Sequence, residues 1–207
     1  DQPRSRGLGD VYKRQDYALT RMIPGVTVLA PQDHREIRGA VKAMIDHEGP
    51  VYMRIGAGKV PQLFPDDDFV IGRGRKLAHG RQVSIISTGY QTIQTAAAVE
   101  QLEAEGYSVD FLALGTVHPL DTELVLDSAR RTCHVITVEE HYDRGGLGGA
   151  VAELLAPEGC AVLDIIGVPH DYQHTGPYAE LLTKNGLDAS SLRRRFIELI
   201  HRRAGRR

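Results

Sequence analysis

The stretch that decides the fold is VSIISTGYQTIQTAAAVEQLEAEGYSVDFLAL, residues 83–114. It opens with a four-residue, mainly apolar run, Val83–Ile86, which is typical of a strand covered on both faces. A helix follows, and its predicted buried side chains are Ile93, Ala97 and Leu102. Gly106 ends the helix, and Val109–Leu114 predicts the next strand. The stretch therefore predicts one strand–helix–strand unit.

The same alternation continues toward the C-terminus. The predicted elements are a helix at 121–131, a strand at 134–138, a helix at 148–155, a strand at 161–167, and closing helices at 178–184 and 190–201. Strands that alternate with helices through short links form mostly parallel sheets with helices on both faces. We therefore expect an α/β fold, a three-layer sandwich around a mostly parallel sheet.

A shorter unit precedes this domain. A strand is predicted at 26–30, and Asp33 with Glu36 marks the start of a helix that ends before Gly49-Pro50. The helix's predicted apolar face consists of Ile37, Val41, Met44 and Ile45. A second strand is predicted at 51–55, and the glycine-, proline- and aspartate-rich segment 56–68 is predicted to connect two modules.

Composition excludes several functional classes. The 207 residues carry a formal net charge of −2, which gives no global field for nucleic acid or an anionic membrane. There is neither an apolar run of 18 residues nor a signal-peptide pattern, so we expect a cytoplasmic protein. The two cysteines, Cys133 and Cys160, follow no metal-ligand spacing and are predicted to be reduced.

The first fifteen residues are predicted to be non-native. Residues 5–15, SRGLGDVYKRQ, resemble the in-frame translation of a transposase-type sequencing adapter. Segments of that origin do not belong to the fold. The Gly-Leu-Gly-Asp within it is therefore not interpreted as a phosphate loop, and Asp16 is taken as the first natural residue.

A glycine turn preceded by two glutamates is the densest chemical feature. Glu139 and Glu140 lie near a strand end, and Gly145, Gly146 and Gly148 lead into the next helix. Two strand–helix units precede the turn and two carboxylates flank it, so it does not fit a dinucleotide fingerprint. Neighbouring strand residues point to opposite faces, which argues against an acid–base pair. We expect a structural or interface role instead, through capping of the turn or contact with a neighbouring subunit, and assign no catalytic residue.

Two other side chains are candidates for binding. Arg54 ends the strand at 51–55, where a guanidinium can hold a phosphate through two parallel hydrogen bonds. A solvated or salt-bridged arginine is the alternative. His118 follows a strand end and is considered as a catalytic candidate because histidine is a common acid–base residue, but an exposed loop histidine is the more common case and is the favoured interpretation.

Taken in order, several motifs carry a resemblance to a known family. They are Met22-Ile23-Pro24-Gly25-Val26-Thr27-Val28 with Pro31 and Asp33, Gly49-Pro50-Val51-Tyr52 with Arg54, Ser87-Thr88-Gly89, Gly115-Thr116-Val117-His118-Pro119-Leu120-Asp121, Thr137-Val138-Glu139-Glu140-His141, Gly145-Gly146-Leu147-Gly148, and Gly167-Val168-Pro169 leading to Leu182 and Gly186-Leu187. This series resembles the transketolase family, especially its separately encoded C-terminal subunits.

The resemblance implies a domain plan. Residues 16–62 would be the tail of the pyrimidine-binding domain, 63–77 a linker, and 78–207 the transketolase C-terminal domain. The complete enzyme would use thiamine diphosphate and a divalent metal, Mg²⁺. Its Gly-Asp-Gly motif and activating glutamate match nothing in this sequence, so no cofactor is expected on this chain alone.

The resemblance also implies a function and partners. The complete enzyme would move a two-carbon ketol unit between sugar phosphates, with Arg54 helping to bind the substrate phosphate. This chain would be inactive without an N-terminal section or subunit, in a homodimer or heterotetramer. The alternatives are 1-deoxy-D-xylulose-5-phosphate synthase, the β-type subunit of a 2-oxoacid dehydrogenase E1 component, and a non-catalytic assembly module.

Overall fold

The structure is a computed structural model that describes residues 15–56, 61–65, 68–171 and 176–205. The predicted non-native segment lies outside the described residues except for Gln15. The helices are α1 (Asp16–Arg21), α2 (His34–Ile45), α3 (Gln91–Ala104), α4 (Thr122–Thr132), α5 (Leu147–Leu155), α6 (Tyr178–Lys184) and α7 (Ala189–Ala204). The strands are β1 (Thr27–Leu29), β2 (Val51–Met53), β3 (Arg75–Ala78), β4 (Val83–Ser87), β5 (Val109–Ala113), β6 (Thr116–His118), β7 (His134–Tyr142) and β8 (Val162–Val168).

The larger sheet has the strand order β3-β5-β4-β7-β8. Strand β4 pairs in parallel with both β5 and β7, and β7 pairs in parallel with β8. Only β3, at one edge, runs antiparallel to its neighbour β5. The predicted mostly parallel sheet is therefore confirmed, and the carboxyl ends of its four parallel strands lie along one edge.

Side chains that alternate along the strands build two cores, one on each face of this sheet. In β4, Ile85 packs into the core beneath α3 and α7, while its neighbour Ile86 packs into the core beneath α4 and α5. Phe196 of α7 is fully buried in the first core, and Leu147 of α5 is fully buried in the second. The three-layer α/β sandwich is therefore confirmed.

Two predicted helix faces are wrong in part. In α3, Ala97 is exposed and Ile93 is half-buried. Leu102 is buried as predicted, but the helix also buries Gln91, Thr92 and Thr95 together with Ala98 and Val99. Gln91 donates from Nε2 to the carbonyl oxygen of Leu187, and the Thr95 hydroxyl donates to the carbonyl oxygen of Gln91. In α2, Val41 and Ile45 are 44% and 78% exposed, and the helix buries small or capping residues, namely Glu36, Gly39 and Ala40.

A second, smaller sheet joins the two predicted modules. Its order is β2-β1-β6, with β1 parallel to β2 and antiparallel to β6. Strand β6 was not predicted, and its pairing with β1 brings residues of the C-terminal module against the preceding segment. Strand β3 begins at Arg75, inside the predicted linker 63–77, and pairs with the larger sheet. The domain boundaries themselves stay predictions.

Within the residues that the structure describes, no helix is both long and apolar enough to cross a membrane. Strand β7 runs to Tyr142, further than the predicted end at 138, so Glu139 and Glu140 lie inside the strand. The start of α2 matches the sequence, since Asp33 accepts hydrogen bonds from the backbone N–H groups of Arg35 and Glu36.

Candidate functional site

The end of β7 and the glycine turn after it meet α1 and the residue that follows β2. We name the residues at this meeting point, which are all buried except the partly buried Arg54, the junction cluster. It consists of Asp16, Tyr17, Arg54, Glu139 and His141. Tyr17 and Asp16 come from α1, Arg54 follows β2, and Glu139 and His141 belong to β7. Parallel strand ends are where open α/β sheets bind ligands, so this is the candidate site.

Glu139 occupies the N-terminus of α5. Its carboxylate is fully buried and accepts hydrogen bonds from the backbone N–H groups of Leu147 (2.7 Å) and Gly148 (2.8 Å). Gly146, the residue that caps α5, has no side chain to accept these bonds, so β7 supplies the acceptor. A free helix N-terminus would attract a phosphate. Here the chain's own carboxylate fills that position.

Burial has the largest effect on the pKa of the Glu139 carboxyl. It raises the pKa of this carboxyl to about 7, while the hydrogen bonds from Gly148 and Leu147 and the positive charges of Arg54 and Arg21 act in the opposite direction. The sequence motif itself gave no sign of this shift, because burial depends on how α1 and α5 pack around the strand.

The glycine turn allows a very close approach of backbone to side chain. A Cβ atom on Gly146 would lie 2.1 Å from Oε2 of Glu139, closer than atoms pack. Gly145 has a φ of +77°, which favours glycine, and lies against Ala18 of α1. Gly148 packs on Ile165 of β8. The glycines therefore allow Glu139 and α1 to pack closely against the turn.

Glu140 points away from Glu139, as strand alternation requires. It is half-buried, and its Oε2 accepts a hydrogen bond of 2.8 Å from the hydroxyl of Tyr178 at the start of α6. The two glutamates are therefore not brought together on one substrate position.

Arg54 is held by an internal ion pair. Its Nη1 lies 3.3 Å from Oδ1 of Asp16, and its guanidinium stacks over the ring of Tyr17 at 4.9 Å. The Arg54 and Asp16 side chains are 13% and 9% exposed. The other carboxylate oxygen of Asp16 accepts a bond of 2.6 Å from the Tyr52 hydroxyl. Burial, followed by this bond to Asp16, raises the pKa of Tyr52 to about 12.

His141 is a central residue of the cluster to which the sequence assigned no role. Its Nε2 lies 3.3 Å from the backbone nitrogen of Ala18, its Nδ1 lies 2.8 Å from the carbonyl oxygen of Tyr142, and its ring stacks on Tyr17 at 5.2 Å. The only signal in the sequence was its place directly after the two glutamates. His118, by contrast, is exposed at the end of β6 and lies outside the cluster.

The described residues do not fit a metal–diphosphate site. Across 15–56, 61–65, 68–171 and 176–205, no group of three or more His, Cys, Asp or Glu side chains is placed to hold a metal ion. The N-terminus of α5, which follows the glycine turn, is occupied by the carboxylate of Glu139. We therefore assign no part of a thiamine diphosphate site to these residues.

Known proteins similar to this chain share a family. The family model described as "Transketolase, C-terminal domain" matches residues 72–192. One subunit of the apulose-4-phosphate transketolase of Phocaeicola vulgatus is 33% identical over 187 residues, which are 89% of this chain and 60% of that protein. 1-Deoxy-D-xylulose-5-phosphate synthase 1 of Geobacter sulfurreducens is 36% identical over 182 residues, 86% of this chain and 29% of that protein.

A solved structure described as a split-gene transketolase, an inactive β4 tetramer, is also similar. It has a TM-score of 0.86 and 37% sequence identity, and the match covers 91% of this chain and 62% of that one. This chain thus spans about three-fifths of the length of its split-type relatives. Because the family model covers more than half of the sequence, the chain belongs to the transketolase family, with that family's C-terminal domain at residues 72–192.

Proposed function

We propose that this chain is the C-terminal section of a thiamine-diphosphate-dependent transketolase that moves a two-carbon ketol unit between sugar phosphates. The observation that carries the proposal is the match of residues 72–192 to the family's C-terminal domain. In such enzymes the cofactor supplies the bond-breaking chemistry, and the protein supplies binding and orientation. We propose that this chain is inactive alone, because the Gly-Asp-Gly motif and the activating glutamate of the family match nothing in this sequence.

The missing chemistry would come from an N-terminal section or subunit. A split-gene relative is similar over three-fifths of its length, and its structure is described as an inactive β4 tetramer. We propose that this chain joins an N-terminal partner in a homodimer or heterotetramer, with residues 16–62 as the tail of the pyrimidine-binding domain. Cys133 and Cys160 are free thiols, in keeping with a cytoplasmic enzyme.

One alternative has a specific observation in its favour. The 1-deoxy-D-xylulose-5-phosphate synthase of Geobacter sulfurreducens is as similar in sequence as the split subunits, at 36% identity. That relative's activity is therefore the second candidate for the complete enzyme.

Assay of the complete enzyme separates the two candidates. We expect the chain, combined with its N-terminal section, to convert xylulose 5-phosphate plus ribose 5-phosphate, and not pyruvate plus glyceraldehyde 3-phosphate. The chain alone is the control and should convert neither pair. Turnover of the pyruvate pair would instead establish the synthase, and turnover by the isolated chain would refute the division of labour between the two sections.

Arg54 is the side chain that we propose contacts the substrate phosphate. A guanidinium has five N–H donors, and its ion pair with Asp16 uses the Nη1 group. In the complete enzyme, Arg54→Ala should raise KM for a phosphorylated acceptor by about tenfold, the effect of losing one charged hydrogen bond, and should raise KM much less for the unphosphorylated sugar.

Asp16→Asn is the matched control, because it removes the ion pair but leaves the guanidinium in place. It should preserve the ratio of KM values between the phosphorylated and unphosphorylated acceptors. If Arg54→Ala raises both KM values equally, Arg54 acts only through the fold, and the proposed phosphate contact is wrong.

A further inference from the structure

The two cysteines of the chain lie at neighbouring turns, each at a point where a helix leads into a strand of the larger sheet. Cys133 follows α4 directly and precedes β7, and Cys160 lies just before β8. Strands β7 and β8 are parallel neighbours, so both turns lie at the amino ends of these strands, opposite the edge that carries the junction cluster. Both cysteines are free and half-buried, so each residue is open in part to solvent.

The pairing of the two strands sets how far apart the cysteines lie. His134 pairs with Val162, and the backbone N–H of Val162 donates to the carbonyl oxygen of Cys133 at 3.2 Å. Adjacent strands lie about 4.8 Å apart and rise about 3.3 Å per residue. Continued by one position, this ladder places Cys133 beside Ala161 and leaves about 6 Å between the Cα atoms of Cys133 and Cys160. That separation lies within the range of about 4.4–6.8 Å that disulfides span.

The two side chains also lie on the same face of the sheet. Cys160 packs against the core beneath α4 and α5. Cys133 lies at the end of α4, and its Sγ is 3.7 Å from the carbonyl oxygen of Arg130 in the last turn of that helix. Both sulfur atoms therefore belong to the layer that α4 and α5 form, and the sheet does not separate them.

Arg130 shows independently that the two turns are close together. Its Nη2 lies 2.6 Å from Oε2 of Glu158, so the end of α4 is bonded to the turn that precedes β8. This bond has the largest effect in raising the pKa of Arg130, and Cys160 acts in the same direction. Arg130 is thus a common neighbour of Cys133 and Cys160. Its side chain is 57% exposed, and exposed ion pairs are weak, so it can move aside when the two sulfur atoms approach each other.

We propose that Cys133 and Cys160 form a reversible disulfide when the chain meets a disulfide oxidant such as glutathione disulfide, and that this bond fastens the two turns together. The thiolate of one cysteine attacks a sulfur of glutathione disulfide, which forms a mixed disulfide and releases one glutathione. The thiolate of the other cysteine then attacks the protein sulfur of the mixed disulfide and releases the second glutathione. The two protein thiols are oxidised, one glutathione disulfide is reduced to two thiols, and the protons of the two cysteines pass to the released glutathiones.

The bond would close a loop that contains β7, the glycine turn and α5. A cross-link of this kind stabilises a protein mainly by restricting its unfolded chain. Because the cysteines lie at the edge of the sheet opposite Glu139 and Arg54, the contacts of the junction cluster should stay as they are. We therefore expect oxidation to raise the midpoint of urea unfolding by about 1 M, and a dithiol reductant to reverse the increase.

Intact mass measurement of the folded 207-residue chain tests the proposal. The chain is incubated with excess glutathione disulfide at about pH 8, where thiolates form readily, and the remaining thiols are then alkylated. We expect a single chain that has lost two hydrogen atoms and carries neither glutathione nor an alkyl group, because the neighbouring thiol has a far higher effective concentration than any thiol in solution. Accumulation of chains with glutathione on both cysteines, or of two chains joined by a disulfide, would overturn the proposal.

Two variants serve as matched controls. Cys133→Ser and Cys160→Ser each leave one thiol, so each should stop at the mixed disulfide with glutathione, and neither should gain in urea midpoint. An equal gain in the unmodified chain and in both variants would show that the disulfide does not fasten the turns. The mass measurement on the unmodified chain needs neither variant to fold. Since every measurement is made without substrate, cofactor or a second subunit, the outcome is independent of the proposed function.

Discussion

Glu139→Ala should lower the free energy of unfolding of this chain by about 4 kcal/mol, the largest loss expected for any polar side chain of the site. The carboxylate is fully buried and accepts the N–H groups of Leu147 and Gly148. Each buried donor left without a partner costs about 1–3 kcal/mol. Urea unfolding at fixed protein concentration and pH measures the change.

Two variants make this expectation specific. Glu140→Ala removes the neighbouring carboxylate, which is only half-buried and bonds to the exposed Tyr178, so its effect should stay below about 1 kcal/mol. Glu139→Gln keeps the size of the side chain and one acceptor oxygen, so its loss should lie between the other two. Equal losses for Glu139→Ala and Glu140→Ala would show that Glu139 does not hold the start of α5.

The main sheet was predictable because its central strands are rich in apolar residues and buried along most of their length. Val83–Ser87 and the start of β7 are covered on both faces, so their apolar runs are visible without any knowledge of their neighbours. Strands β3 and β6 were missed for the opposite reason. Arg75–Ala78 contains two basic residues in four, and Thr116–His118 has only three residues, so their strand conformation depends on pairing with β5 and β1.

Helix faces were less predictable than helix positions. In α3, three consecutive alanines make the apolar periodicity indistinct. The helix also buries Gln91, whose Nε2 donates to the distant carbonyl oxygen of Leu187, a contact that the sequence pattern does not show. In α2 the apolar pattern is clear, but the described residues leave Ile45 mostly exposed. A sequence pattern shows that a face is apolar, not which part of the protein covers it.

In the candidate site, too, local features were predictable from the sequence and long-range contacts were not. Alternation along a strand was enough to predict that Glu139 and Glu140 point to opposite faces, and β7 does continue through both. The ion pair between Arg54 and Asp16 links residues 38 positions apart, and the contact of His141 with Ala18 spans 123 positions. No local pattern encodes such contacts, since they exist only once α1 lies on the glycine turn.

Gly146→Ala should lower the free energy of unfolding by about 3 kcal/mol, whereas Gly149→Ala should raise it by about 0.5–1 kcal/mol. A methyl group on Gly146 would lie 2.1 Å from Oε2 of Glu139 and 2.7 Å from Nδ1 of His141, so the carboxylate must leave the start of α5. Gly149 lies inside α5, where the nearest atom to an added Cβ is Arg21 Nη1 at 3.8 Å and alanine is the better helix former.

The coupling between Gly146 and Glu139 can be measured by combining Gly146→Ala with Glu139→Ala. Because the added methyl group destabilises the chain mainly by displacing the Glu139 carboxylate, Gly146→Ala should lower the free energy of unfolding much less when that carboxylate is already absent. The double variant should therefore be more stable than the sum of the two single losses predicts, by about 1–3 kcal/mol. Additive losses would mean that Gly146 and Glu139 act independently, and that the glycine is present for its backbone conformation and not for the close approach of a buried carboxylate.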